Sequence, residues 1–220
     1  MGAFDNLVAT ILAIGGLGLA AMSLVDALKA VPGGGVSRIG FGHIHKVLVL
    51  FDKVLARAAG DQWAAVILAH WINGRPRDEQ VGAIRALLRL GLAPDTAPQL
   101  AVIGNVEAEA LGKVAAKLVA GAALSEGEIN LVGRVEAAVA ARLDAAFDLA
   151  EQSYRNTARL LAGMIAVGLA VVAGRFVAPP VSWQIAVLVG LLAVPIAPIA
   201  KDLASALTAA SQAVRSPRGG

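Results

Sequence analysis

Three stretches of this chain are almost free of charge, and each is long enough to cross a lipid bilayer. Residues 7–25 hold nineteen positions with no Asp, Glu, Lys or Arg. At 1.5 Å of rise per residue a helix of that length covers roughly 28 Å, close to the hydrocarbon thickness of about 30 Å. Residues 160–200 carry one charge, Arg175. Pro179 and Pro180 interrupt this second region, because consecutive prolines cannot continue a helix but suit the first turn of the next. The region therefore reads as a hairpin with arms at residues 158–177 and 180–200. Arg159 and Arg175 fall near the ends of the first arm, where long cations reach the headgroups, and Trp183 takes an interfacial position.

Composition agrees. Apolar residues make up 57% of the chain and charged residues 16%, against about 25% charged in an ordinary soluble chain. A secretory leader is the rival reading of residues 7–25, but the preceding Met-Gly-Ala-Phe-Asp-Asn is acidic where a leader is basic. A net charge of +3 with no basic patch interleaved with aromatics argues against nucleic acid as a partner. The lack of cysteine removes thiolate chemistry and Cys-ligated metal.

Basic residues orient the spans. Lys29, Arg38, Lys46, Arg155, Arg159, Lys201, Arg215 and Arg218 flank one side, and Arg175 alone the other. The positive-inside rule then sets the N-terminus outside a bacterial inner membrane, with residues 32–157 and the C-terminus in the cytoplasm. The expected fold is an all-α membrane protein. It has an N-terminal span within 1–31, a cytoplasmic helical domain at 32–157, a transmembrane hairpin at 158–200 and a helical extension and tail at 201–220.

Within residues 33–157 thirteen Lys/Arg balance thirteen Asp/Glu, as in a solvated domain. One helix is expected over 42–59, with Ile44, Leu48, Phe51 and Leu55 on its apolar face. A second runs from an Asp61 cap to Ile72 and stops at Asn73-Gly74, and a third follows Pro76 to Gly91. A fourth is capped by Asn105 and ends at Gly121. Ser125 and Glu128 form a capping box for a fifth. Leu131, Val135, Val139, Leu143 and Phe147 share one face of that helix, and no proline stops it before the hairpin. A break at 152–156 is the alternative to a continuous helix.

The candidate functional residues are few. Pro195 and Pro198 inside the last span each remove a backbone donor, giving a kink for gating or packing. Gly16 with Ala20, and Ala197, Ala200 and Ala204, are small enough to let helices of several copies approach, so a homo-oligomer is expected. Asp26, Lys29, Lys201 and Asp202 are interfacial charges at span ends. His43 and His45, two apart, cannot chelate one metal from a regular helix, and His70 sits beside Trp71. No serine, histidine and acid are spaced as a nucleophilic set. Neither an enzyme nor a cofactor is expected. The partners expected are the lipid bilayer, further copies of the chain and a cytoplasmic protein.

The layout of one span, a large cytoplasmic segment and two long helices resembles the TolQ/ExbB/MotA family of proton- or sodium-driven stators. That resemblance is one of topology. It implies an energy-transducing subunit driven by an ion gradient, whose ion path would be lined by polar residues, notably threonines. Residues 160–200 contain no Thr, Asp or Glu. Three functions are thus open: an oligomeric channel-like or scaffold assembly with a cytoplasmic docking domain, a stator-like transducer, and a pore former that inserts a hydrophobic hairpin.

Overall fold

The computed structural model describes residues 3–29, 35–177 and 179–215, with side chains for 6–28, 35–177 and 179–209. Among the described residues 86% are helical and none is in a strand. The helices are α1 (Ala3–Lys29), α2 (Ser37–Leu48), α3 (Asp52–Ala59), α4 (Trp63–Ile72), α5 (Arg77–Gly91), α6 (Ala97–Gly104), α7 (Ala108–Val119), α8 (Glu126–Phe176) and α9 (Trp183–Arg215). They form two compact units. One is Gly33–Tyr154, and the other combines Met1–Pro32 with Arg155–Gly220.

Gly33–Tyr154 is built around a conventional aliphatic and aromatic core. Ile44, Leu48, Phe51 and Leu55 are fully buried, as are Leu111 and Leu143, with Phe147 beside them. Four of the five residues on the apolar face of α8, Val135, Val139, Leu143 and Phe147, enter this core. Leu131 packs against it half-buried. The capping box forms as the spacing requires. The Ser125 amide donates to Glu128 Oε2 at 2.8 Å, and the Glu128 amide donates to Ser125 Oγ at 3.4 Å.

Several expected elements change. The helix expected over 42–59 is two helices joined by a 3-10 turn, Val49–Phe51. Phe51 leaves helical geometry (φ −127°, ψ 31°), which re-aims the next turn so that Val54 and Leu55 are both buried. Helix α6 lies between the third and fourth expected helices, where Pro94 and Pro98 argue against a helix. Pro98 instead occupies the first turn of α6, where its missing N–H has no partner to lose. Thr96 stitches the preceding turn, accepting from the Ala93 amide (2.9 Å) and donating to the Gly91 carbonyl (2.8 Å). Asn105 does not start a helix but ends α6 in the left-handed region (φ 49°), and α7 begins at Ala108. Helix α9 starts at Trp183, three residues beyond Pro180. Helix α8 passes through 152–156 unbroken for 51 residues.

The other unit brings together α1, the C-terminal part of α8, and α9. All three are long and apolar enough to cross a membrane, over Asn6–Leu28, within Glu126–Phe176, and over Trp183–Ala209. The turn between α8 and α9 is closed by the Val181 amide donating to the Gly174 carbonyl at 3.0 Å. Gly15 meets Ile196 and Ala200, whereas Gly18 meets Ala193 and Ala197. Rising numbers in α1 thus pair with falling numbers in α9, and the two helices run antiparallel. An alternation of three spans with residues 33–154 on one face would run them parallel.

Candidate functional site

The three apolar helices meet through their smallest residues. In the C-terminal part of α8 the buried positions are Ala162, Ala166, Ala170 and Gly174, a four-residue step. In α9 they are Ala186, Gly190, Ala193, Ala197 and Ala200. In α1 they are Gly15, Gly18, Ala21 and Val25. A methyl group on Gly18 would strike the Ala193 carbonyl, and one on Gly190 would strike the Val167 backbone. The backbones are therefore in contact, which only Gly permits. The large residues point away. Leu19, Leu24, Met164, Val172, Ile185, Leu188, Leu191 and Ile199 are exposed.

This arrangement sorts the sequence-derived candidates. Ala197 and Ala200 are buried inside the chain, against Gly18 and Gly15. Gly16, Ala20 and Ala204 are exposed, and a methyl group on Gly16 would meet nothing within 4 Å. Pro195 and Pro198 lie within α9 and are exposed, away from the Ala193–Ala197–Ala200 edge. Their rings leave the carbonyls of Leu191 and Val194 without the usual i+4 amide donors. Asp26, near the end of α1, and Lys201 and Asp202 are exposed, and the side chain of Lys29 lies outside the described residues. Lys201 and Asp202 belong to α9 itself, which continues through them to Arg215.

Comparison with protein-family models, curated proteins and solved structures returns no match. Function therefore has to be read from the geometry.

In Gly33–Tyr154 a groove of about 640 Å³ lies among α5, α6, α7 and the start of α8. Buried Leu88, Leu92, Leu100 and Leu111 line its depth, and exposed Leu118 and Ile129 its edge. Arg85 and Arg89 of α5 also line it, across from Glu136 of α8. Arg89 holds Glu136 with its Nη2 at 2.9 Å from Oε2, while Arg85 Nη2 reaches the same oxygen at 3.5 Å. The Arg89 hydrogen bond, helped by the charge of Arg85, depresses the Glu136 carboxyl below the usual range against the opposing effect of partial burial. Nothing in the sequence reading pointed to this groove. Its signal was Ile129, an apolar residue two places from the core-facing Leu131 and so off that face.

His45 serves packing. It stacks on Trp63 with ring centroids 5.9 Å apart and an angle of 12°, and the Phe41 ring lies 6.0 Å from it. Among the described residues no three His, Asp or Glu side chains gather as a metal set.

A second polar pair is Lys117 and Glu128. The Lys117 ammonium donates to Glu128 Oε1 at 2.7 Å, and this bond, with the Ser125 amide, lowers the Glu128 carboxyl from near 4.5 to about 2. A carboxyl depressed in the folded state contributes stability above its unfolded value, and that contribution is lost as pH falls through the folded value. The stability gap between wild type and Glu128→Gln is therefore expected to be constant above pH about 5 and to close between pH about 4.5 and 2. Urea unfolding followed by circular dichroism at stepped pH measures it. A gap that did not change with pH would contradict the assigned pairing.

Proposed function

We propose that this chain is an oligomeric integral membrane protein that holds a helical docking domain at the surface of a bilayer as a scaffold. The observation that carries this reading is the order of residues in the α8–α9 hairpin, with Ala and Gly inside and large Leu, Ile and Val outside. In water that order leaves the larger part of the apolar surface solvated. In hydrocarbon it costs nothing, and contact between small residues supplies the association. Backbone contact at Gly190 leaves no space for an ion between α8 and α9, which favours a scaffold over a channel within one copy. The missing Thr, Asp and Glu of residues 160–200 weigh against the stator-like alternative.

Self-association has its own support. Gly16 and Ala20 form an exposed small edge on α1. Pro195 and Pro198 deny the carbonyls of Leu191 and Val194 their amide donors, and in hydrocarbon a donor from another copy or water would satisfy them. Gly16→Leu with Ala20→Leu is accommodated inside one copy, since Gly16 has open space around it. Native mass spectrometry from nanodiscs is expected to show wild-type oligomers and mostly single copies of the double variant. A wild type that is already a single copy sinks the oligomeric reading.

The direction of α1 favours a second reading. With both ends of Gly33–Tyr154 on one face, α1 cannot cross the bilayer alongside α8 and α9 while antiparallel to α9. The pairing described above then belongs to a state in which α1 lies along the hairpin before full insertion, as in a protein that inserts a hairpin to form a pore. Oxidative cross-linking of Gly15→Cys with Ala200→Cys separates the two, and the absence of native cysteine makes the result clean. Efficient cross-linking in carbonate-resistant membranes supports the α1-covered hairpin. Its absence there, with N- and C-termini labelled from opposite faces, supports three crossings.

A further inference from the structure

We infer that the groove among α5, α7 and α8 is a binding site for a long-chain carboxylate, that is, a free fatty acid. The groove lies wholly within Gly33–Tyr154 and stands apart from the reading of the apolar helices. Its volume of about 640 Å³ falls in the range of small-ligand sites. The chemistry of its walls narrows the ligand. Every apolar side chain lining it is aliphatic, and Ser, Thr, Asn, Gln, Tyr and His are absent from the lining. Such walls offer no hydrogen bond to a functionalised ring or a peptide backbone, whose polar groups would be stranded there. An unsubstituted hydrocarbon chain loses nothing, and each buried methylene adds to its binding.

The polar groups of the lining are confined to Arg85, Arg89 and Glu136, which set the head group. Two guanidiniums share one carboxylate, so the lining carries one surplus positive charge. Arg89 is committed to Glu136 by two hydrogen bonds, whereas Arg85 touches it only at 3.5 Å. Arg85 therefore has donors to spare for a second carboxylate, with the fork geometry that suits one. Gly133 lines the groove from α8, and a Cβ there would meet nothing within 4 Å, so the open space at that point belongs to the groove.

The test uses the full chain in nanodiscs with a palmitate analogue bearing a diazirine in its tail, the labelled peptides being mapped by mass spectrometry. Labelling is expected in α7 and in the first turns of α8, suppressed by unlabelled palmitate. Hexadecanol and hexadecyltrimethylammonium are expected to compete at least about tenfold less well, the factor a lost charge-assisted bond confers. Gly133→Phe fills the groove while replacing a mid-helix glycine by a better helix former, so the chain stays folded and the labelling is expected to fall by about tenfold or more. Arg85→Glu is expected to abolish the preference for palmitate over hexadecanol. The proposal is overturned if labelling is confined to peptides of residues 6–28 and 158–209. It is equally overturned if Gly133→Phe leaves the groove labelling unchanged, or if cross-links through Ile129 show the groove covered by a second copy or a peptide.

Discussion

Gly18→Leu is expected to part α1 from α9, while the same change two residues away at Gly16 leaves them joined. Any side chain at Gly18 enters the Ala193 carbonyl and the Ala197 methyl. Neither neighbour can give way by rotating, because one is backbone and the other has no rotamer. Overpacking of a close contact costs about 1–3 kcal/mol where side chains can adjust, and a backbone clash falls at or beyond the upper end. The measurement is the Gly15→Cys/Ala200→Cys cross-link in the solubilised chain, which should drop by more than about tenfold in Gly18→Leu, as a loss of 1.4 kcal/mol or more requires. Gly16→Leu should leave it intact. Equal yields in the two backgrounds would show that α1 does not pack on α9 through this edge.

Phe147→Ala should cost Gly33–Tyr154 about 3–5 kcal/mol, the range for a buried aromatic truncated to a methyl. Phe147 is 1% exposed, its ring centroid lies 6.0 Å from that of Trp71, and the Arg77 guanidinium sits 5.9 Å above it. Arg77 is itself anchored by Asp148 at 2.6 Å and Asp144 at 3.1 Å, so the ring's removal also loosens an ion-pair cluster. Those pairs are exposed and add little on their own. The larger part of the loss is cavity and lost contact. Leu149→Ala, two residues on but half exposed, should cost well under 1 kcal/mol. Denaturant titration followed by tryptophan fluorescence, with amide exchange across α4 and residues 143–150, compares the two. A Phe147→Ala chain no weaker than Leu149→Ala would contradict the burial of Phe147 against Trp71.

The helices were legible wherever local chemistry decided them. Ser125 and Glu128 announce the start of α8 because the cap needs no distant partner, and Asn73-Gly74 ends α4 with Gly74 at φ 64°. The periodic face of α8 could be read because a core-facing helix has to repeat every three to four residues. Reading failed where tertiary packing set the answer. The turn at Val49–Phe51 exists to bury Phe51, Val54 and Leu55 together, and nothing local requires it. Pro98 sends the same local signal whether it ends one helix or opens another, and the choice rests on Thr96 bonding to Gly91 and Ala93. Among the small residues, the sequence could not say which edge is used inside the chain. Gly16 and Gly18 look alike until α9 is laid against one of them. The groove was invisible because its walls come from four helices far apart in sequence.

The seam of the apolar unit has a consequence for its permanence. Alanine and glycine have no side-chain torsions to freeze, so closing that seam loses almost no side-chain entropy, and opening it regains almost none. Nor do methyl groups interlock as Leu or Phe would, and the same surface therefore accepts a partner running either way along it. On the oligomeric membrane reading proposed above, helix α1 and the helix of a neighbouring copy compete for Ala193, Ala197 and Ala200 on nearly equal terms, and the local protein concentration decides which of them holds the position.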